Sequence, residues 1–122
     1  LRNVDQMSIQ KIGEELKNTS QLCRELKIDK KEFFGGSMTI SSLGGIGGTH
    51  FTPIINPPEV AILGVGRTFD RLVKEKNQIV SRKILPISLS YDHRLIDGAE
   101  GARFCVYLGK CLGKDFAFKL AV

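Results

Sequence analysis

Val60-Ala61-Ile62-Leu63-Gly64-Val65-Gly66 is apolar at almost every position. A strand with one face in water would alternate, so this run reads as a short strand buried on both faces at the centre of a sheet. Ser37-Met38-Thr39-Ile40-Ser41-Ser42-Leu43 supplies a second strand by alternation and β-branched content, and Gly44-Gly45-Ile46-Gly47-Gly48 turns the chain after it. Thr52-Pro53-Ile54-Ile55-Asn56-Pro57-Pro58 is irregular, because its prolines remove ladder donors. Polar Lys74-Glu75-Lys76-Asn77-Gln78 makes a loop or hairpin turn. Strand returns from Ile79 to Ser90, with a break expected near Arg82.

Helical patterns bracket these strands. Ser8 can cap a helix running to about Lys27, with Ile9, Ile12, Leu16, Thr19, Cys23 and Leu26 recurring at steps of three and four. Asp29 followed by Glu32 forms a second, very short capped turn, which Gly35-Gly36 breaks. Asp97-Gly98-Ala99-Glu100 has the Asp-x-x-Glu form of a helix start. Ala102, Cys105, Val106, Gly109 and Leu112 form the stripe of that helix, which is expected to end near Gly113 and to be followed by a docking tail, Phe116 to Leu120. Helix, strands, helix is the order of a mixed α/β or α+β chain.

At 122 residues the chain is one domain or part of one. Its net charge of +5 is mild and its lysines and arginines are dispersed, which argues against a nucleic-acid binder and suits a partner carrying phosphates or carboxylates. No apolar run is long enough to span a bilayer. Leu1-Arg2-Asn3-Val4-Asp5 has no signal-peptide layout and no initiator Met, so a fragment is expected. Cys23, Cys105 and Cys111 are odd in number and lack Cys-x-x-Cys spacing; neither disulfides nor a metal site is indicated, and all three read as buried small hydrophobes in a reducing compartment.

Chemistry concentrates in Tyr91-Asp92-His93-Arg94-Leu95-Ile96-Asp97-Gly98, where His93 sits between an apolar strand and a helix start. A titratable imidazole on a short loop between rigid elements suits a general base. Asp97 can cap the helix, orient the His93 loop, or do both. Ser41 and Ser42 end a strand before a glycine turn; such serines form turns, and a hydroxyl held there can also donate to a developing oxyanion. The glycine run is not a dinucleotide fingerprint, because Thr49-His50-Phe51-Thr52-Pro53 cannot open a helix after it, and the phosphate-loop Gly-Lys-Ser/Thr ending is absent. His50 has no partner at metal-ligand spacing and reads as a loop residue.

His93-Arg94-Leu95-Ile96-Asp97-Gly98 resembles the His-x-x-x-Asp-Gly signature of the dihydrolipoamide acyltransferases, the cores of the 2-oxo acid dehydrogenase complexes. Arg2-Asn3-Val4-Asp5-Gln6, Met38 to Gly44, Pro57 to Val65 and Leu89 to Arg94 also read like that catalytic domain, in the family's order. Chloramphenicol acetyltransferases share the signature but typically carry a second histidine at the position of Asp92. The wording around Ser41 and His93 is most similar to bacterial pyruvate dehydrogenase acetyltransferases.

The resemblance implies an α/β fold, a two-layer mixed sheet with helices, in the form of an incomplete chloramphenicol acetyltransferase-like domain. Residues 1–122 would be its C-terminal portion. It implies transfer of an acetyl group between dihydrolipoamide and coenzyme A, with coenzyme A or acetyl-CoA as substrate and the lipoyl group on a separate domain. His93 would be the base, Ser41 the oxyanion donor and Asp97 the carboxylate that fixes the histidine loop; Ser42, Gly66, Arg67 and Leu85 would lie along the coenzyme A channel. The implied partners are two further copies in a homotrimer that builds a larger core, a lipoyl domain, and the E1 and E3 components through domains outside this chain; nucleic acid and membrane are not implied. The implied setting is the bacterial cytoplasm, or the mitochondrial matrix in a eukaryote. Competing readings are an assembly segment without a complete site, a succinyl or branched-chain acyltransferase, and a stand-alone small-molecule acetyltransferase.

Overall fold

The computed structural model describes residues 1–113 and Phe116. These divide into two compact units, one of Leu1–Gly35 with Leu112, Gly113 and Phe116, the other of Gly36–Cys111.

The first unit is built on helix α1, Ile9–Arg24. Ser8 is extended at its N-terminus, and the Ser8 hydroxyl accepts from Lys11 N–H at 3.2 Å, satisfying one of the free donors of the first turn. The helix stops three residues short of the expected Lys27. Leu26 adopts φ 56°, which lets Lys27 N–H reach Leu22 C=O at 2.9 Å while Leu26 N–H reaches Cys23 C=O at 3.2 Å. Those two bonds close a Schellman motif, with leucine at a position that favours glycine. Of the expected stripe, Ile12, Thr19 and Cys23 are partly covered, and Ile9, Leu16 and Leu26 are exposed. Asp29 caps the expected short turn, a 3-10 helix over Lys30–Phe33, by accepting from Lys31 N–H at 2.9 Å.

The second unit contains two sheets. Strands β1 (Thr39–Ser42), β2 (Ala61–Val65) and β5 (Ile87–Tyr91) form a mixed sheet in the order β1-β2-β5, with β2 parallel to β1 and antiparallel to β5. β2 is central as expected, and Ala61, Ile62, Leu63 and Gly64 are buried. Gly64 leaves room for a loop to cross the sheet: a Cβ there would lie 3.0 Å from the Phe51 ring and 2.6 Å from Ser88 Oγ. The Ser88 hydroxyl ties that loop down by donating to Phe51 C=O at 2.6 Å. At the other end of β1, Thr39 Oγ1 donates to Glu59 Oε2 at 2.6 Å.

Strands β3 (Phe69–Glu75) and β4 (Gln78–Ile84) form a separate antiparallel hairpin. Its turn is only Lys76-Asn77, both at positive φ (45° and 65°), the twist that joins strands of a tight hairpin. The strand over 69–75 has no counterpart in the sequence reading. The break expected near Arg82 falls instead at Leu85-Pro86, between β4 and β5. Arg82 is an ordinary ladder position opposite Arg71, and its guanidinium is held by Glu75 across the hairpin.

Helix α2 (Gly98–Cys111) follows β5 and packs against it. Its covered positions are Gly101, Cys105, Leu108 and Cys111, so the expected stripe is correct at Cys105; Ala102, Val106 and Gly109 face out. Cys23, Cys105 and Cys111 are free thiols and half-buried rather than buried. Of the expected docking tail only Phe116 lies among the described residues; it is exposed, and its N–H meets Gly113 C=O at 3.0 Å. Among the described residues no helix is long and apolar enough to cross a membrane. Nor, among them, does any group of three or more His, Cys, Asp or Glu gather as a metal site.

Candidate active site

His93 lies in a tight turn two residues past the end of β5. Asp92 builds that turn. Asp92 N–H donates to Val60 C=O at 2.8 Å, which continues the β2–β5 pairing past its last ladder pair. Asp92 C=O accepts from the N–H groups of Leu95 and Ile96, both at 3.0 Å. The Asp92 carboxylate accepts from Arg94 N–H at 3.0 Å and from Arg94 Nε and Nη2 at 2.9 and 2.6 Å. These bonds from the Arg94 side chain and backbone lower the Asp92 carboxyl from 3.8 to about 2. The His93 ring is exposed and stands beside Tyr91, with ring centroids 5.8 Å apart and planes tilted by 37°. Tyr91 is set in turn by Gly101, where a Cβ would come within 2.8 Å of the Tyr91 ring.

Asp97 takes the role of helix cap. Its Oδ1 accepts from Glu100 N–H at 2.7 Å, and its C=O accepts from Gly101 N–H at 3.1 Å. Within this chain the carboxylate bonded inside the histidine turn is that of Asp92, while Asp97 Oδ1 is bonded at the start of α2.

Ser41 is half-buried on β1 and belongs to a different region. It pairs with Gly64, which pairs with Ser88, so these three residues form one row across the sheet. Along β5 from that row, Tyr91 is three residues away, roughly 10 Å at strand rise, and His93 lies two residues further on. β1 is also two strand spacings from β5, roughly 10 Å more across the sheet. Hydrogen bonding needs an approach of about 3 Å, so Ser41 and His93 of one chain cannot meet.

The residues expected along the coenzyme A channel gather at the Ser41 end. Leu43 N–H donates to Val65 C=O, Gly66 N–H to Pro86 C=O and Arg67 N–H to Gly48 C=O, at 3.0, 3.0 and 2.9 Å. Ser42, Gly66, Arg67 and Leu85 therefore sit around the ends of β1 and β2 and the start of β5. Ser42, Arg67 and Leu85 are exposed there, while Gly66 is buried, and a Cβ on it would collide with Thr49 C=O. The seven residues expected to act thus fall into two groups at opposite ends of one three-stranded sheet. A cavity of about 280 Å³ between Met38, Leu89, Ile96 and Phe104 holds neither His93 nor Ser41.

Two contributors escaped the sequence reading. Tyr91 gives no local signal, because its role depends on a glycine in α2. Asp92 did leave one: Asp followed two residues later by a residue whose N–H is free is the pattern of an Asx turn.

Residues 1–117 match the family model described as 2-oxoacid dehydrogenases acyltransferase (catalytic domain). The chain is 47% identical over 116 residues to the dihydrolipoyllysine-residue acetyltransferase component of the pyruvate dehydrogenase complex of Cupriavidus necator, covering 95% of this chain and 21% of that one. It is 51% identical over 111 residues to the corresponding Haemophilus influenzae component, covering 91% and 20%. The chain therefore spans about a fifth of the length of these curated relatives. Among solved structures, a dihydrolipoamide acetyltransferase of Azotobacter vinelandii superimposes with a TM-score of 0.90 at 45% identity, over 100% of this chain and 49% of that one. That protein was used to investigate the catalytic role of a serine, a histidine fifty-two residues later and an asparagine four residues beyond. The cubic core of a pyruvate dehydrogenase multienzyme complex matches equally, with a TM-score of 0.90 at 44% identity. The fold is the chloramphenicol acetyltransferase-like fold of these cores, and the chain belongs to the 2-oxoacid dehydrogenase acyltransferase catalytic-domain family.

Proposed function

We propose that this chain is the C-terminal portion of an acyltransferase catalytic domain that moves an acetyl group between dihydrolipoamide and coenzyme A. The observation that carries this reading is an interval. Ser41, His93 and Asp97 stand at the same spacing as the serine, histidine and asparagine investigated in the Azotobacter vinelandii enzyme.

In this reading His93 takes the proton from the thiol of coenzyme A or, in the reverse direction, of dihydrolipoamide. A thiol pKa of about 8.5 lies only about two units above that of imidazole, so the transfer is thermodynamically easy. The thiolate attacks the thioester carbonyl, and the Ser41 hydroxyl donates to the oxyanion that forms. Because Ser41 and His93 sit at opposite ends of the sheet, the His93 of one copy works with the Ser41 of the next. A cyclic assembly with head-to-tail interfaces arranges that pairing, and a trimer within a larger core is the form we propose. The Ser41 end also suits coenzyme A, because Ser42, Arg67 and Leu85 are all exposed there. Lipoyl domains would deliver the acyl group, and the E1 and E3 components would meet the assembly through other domains.

The test is His93→Ala in the assembled protein, assayed for acetyl transfer from acetyl-CoA to dihydrolipoamide. Loss of turnover with an intact oligomer is expected. Retained turnover would overturn the reading, and transfer to a small hydroxylated acceptor without any lipoyl group would replace it with a stand-alone acetyltransferase.

A further inference from the structure

His93 is an exposed side chain on a turn, with a tilted contact to one neighbouring ring. A general base must hold its nitrogen within a few tenths of an ångström of a productive line, so something must fix the turn. The structure has two carboxylates able to do this, Asp92 before the histidine and Asp97 after it. Asp97 is committed to Glu100 N–H, at the first turn of α2.

Asp92 bonds in three directions at once. Its N–H anchors the turn to β2 through Val60 C=O, its C=O collects Leu95 and Ile96, and its carboxylate collects Arg94. His93 is thus enclosed between Asp92, whose carboxylate accepts, and Arg94, which donates to it from both backbone N–H and guanidinium. The carboxylate bond to Arg94 N–H spans His93 itself, closing a ring of backbone around its Cα. The bond from the guanidinium is of a different kind. The Arg94 side chain is 88% exposed, whereas that of Asp92 is 21% exposed. An ion pair with one fully solvated partner contributes little rigidity, while a side-chain oxygen closing a turn onto a backbone N–H removes dihedral freedom at the enclosed residue.

We propose that Asp92 is a positioning residue for His93, acting through the bond from its side-chain oxygen to Arg94 N–H rather than through its charge. The inference rests on the proposed role of His93 as base and adds to it the residue that aims the imidazole.

Two variants separate geometry from charge. Asp92→Asn removes the charge but keeps an oxygen at the same distance from the backbone, so the turn still closes. Asp92→Glu keeps the charge and the pairing with Arg94 but carries the oxygens one methylene too far to close it. Each is made in the assembled protein and assayed for acetyl transfer to dihydrolipoamide, with His93→Ala and thermal unfolding alongside. We expect kcat of Asp92→Asn within about threefold of the parent and kcat of Asp92→Glu lower by about tenfold or more, as for a misplaced catalytic group. KM for coenzyme A should change less than about twofold in both, because Asp92 aims the imidazole at the reacting thiol and is not one of the channel residues Ser42, Gly66, Arg67 and Leu85. The unfolding midpoints of the two variants should agree.

The reverse order of kcat would show that the charge matters and overturn the proposal. Equal, parent-like kcat in both would overturn it too, as would losses of kcat that merely follow losses of thermal stability. If His93→Ala itself keeps its turnover, the role of the base fails instead, and the Asp92 series reads out separately.

Discussion

Gly101 and Gly109 lie on the same helix, and replacing each with alanine should move stability in opposite directions. Both gain helix propensity, about 1 kcal/mol relative to glycine. At Gly109 nothing lies within 4 Å of the added methyl, so the full gain should appear, about 0.5–1 kcal/mol of stabilisation. At Gly101 the methyl would lie 2.8 Å from Tyr91 Cε1 and 3.1 Å from Tyr91 Cζ. Carbon atoms rest at about 3.5–4.0 Å, so the ring must move by roughly 1 Å. Overpacking of this kind costs about 1–3 kcal/mol, which leaves Gly101→Ala destabilising by about 0–2 kcal/mol after the propensity gain. The displaced ring is also the neighbour of His93, at 5.8 Å between centroids. A shift there should lower kcat by about tenfold, while Gly109→Ala leaves it unchanged. Denaturant unfolding of the assembled protein and a steady-state acetyl-transfer assay measure both effects. Equal stabilisation by the two substitutions, or a Gly101→Ala protein with unaltered kcat, would refute the packing of α2 on Tyr91 as the support of the turn.

Two further outcomes follow from the hydrogen bonds of the site. Asp97→Ala should cost about 1 kcal/mol through loss of the cap on α2, while Asp97→Asn, which also caps well, should cost only a few tenths; unfolding midpoints check this, and equal losses would contradict the capping role. The Asp92 carboxyl, brought down to about 2 from 3.8 by the side chain and backbone N–H of Arg94, favours the folded state because its folded value lies below its unfolded one. That contribution is complete above about pH 4 and fades as pH falls toward 2. An NMR titration of the Asp92 side chain should have its midpoint near 2, and a midpoint at 3.8 or above would contradict the Arg94 contacts.

The elements legible in the sequence are those whose signal is local. The caps at Ser8, Asp29 and Asp97 are each a side chain meeting a backbone two or three residues away. The centre of the sheet is legible because Val60 to Gly66 has no polar face. Elements decided by a distant partner were lost. β3 carries charge on both faces and is set as a strand by its pairing with β4 along its whole length, from Phe69–Ile84 to Glu75–Gln78. Arg82 resembled a break for the same reason. The inward face of α2 was only partly legible because one of its covered positions is a glycine, which carries no apolar signal and is there to admit Tyr91. Ser41, His93 and Asp97 could be proposed from sequence, since each belongs to a short motif. Their division between the two ends of the sheet could not, because that depends on the register linking Ser41 to Gly64 and Gly64 to Ser88.

The proposed sharing of one site between two copies has a direct test in mixed assemblies. A protein carrying Ser41→Ala loses the proposed oxyanion donor, worth about 10²–10³ in rate, and one carrying His93→Ala loses the proposed base. Unfolded together in equal amounts and reassembled, the two should regain about a quarter of the parent turnover, the fraction of head-to-tail interfaces at which both intact residues meet. A mixture no more active than the average of its two inactive components would contradict the shared site.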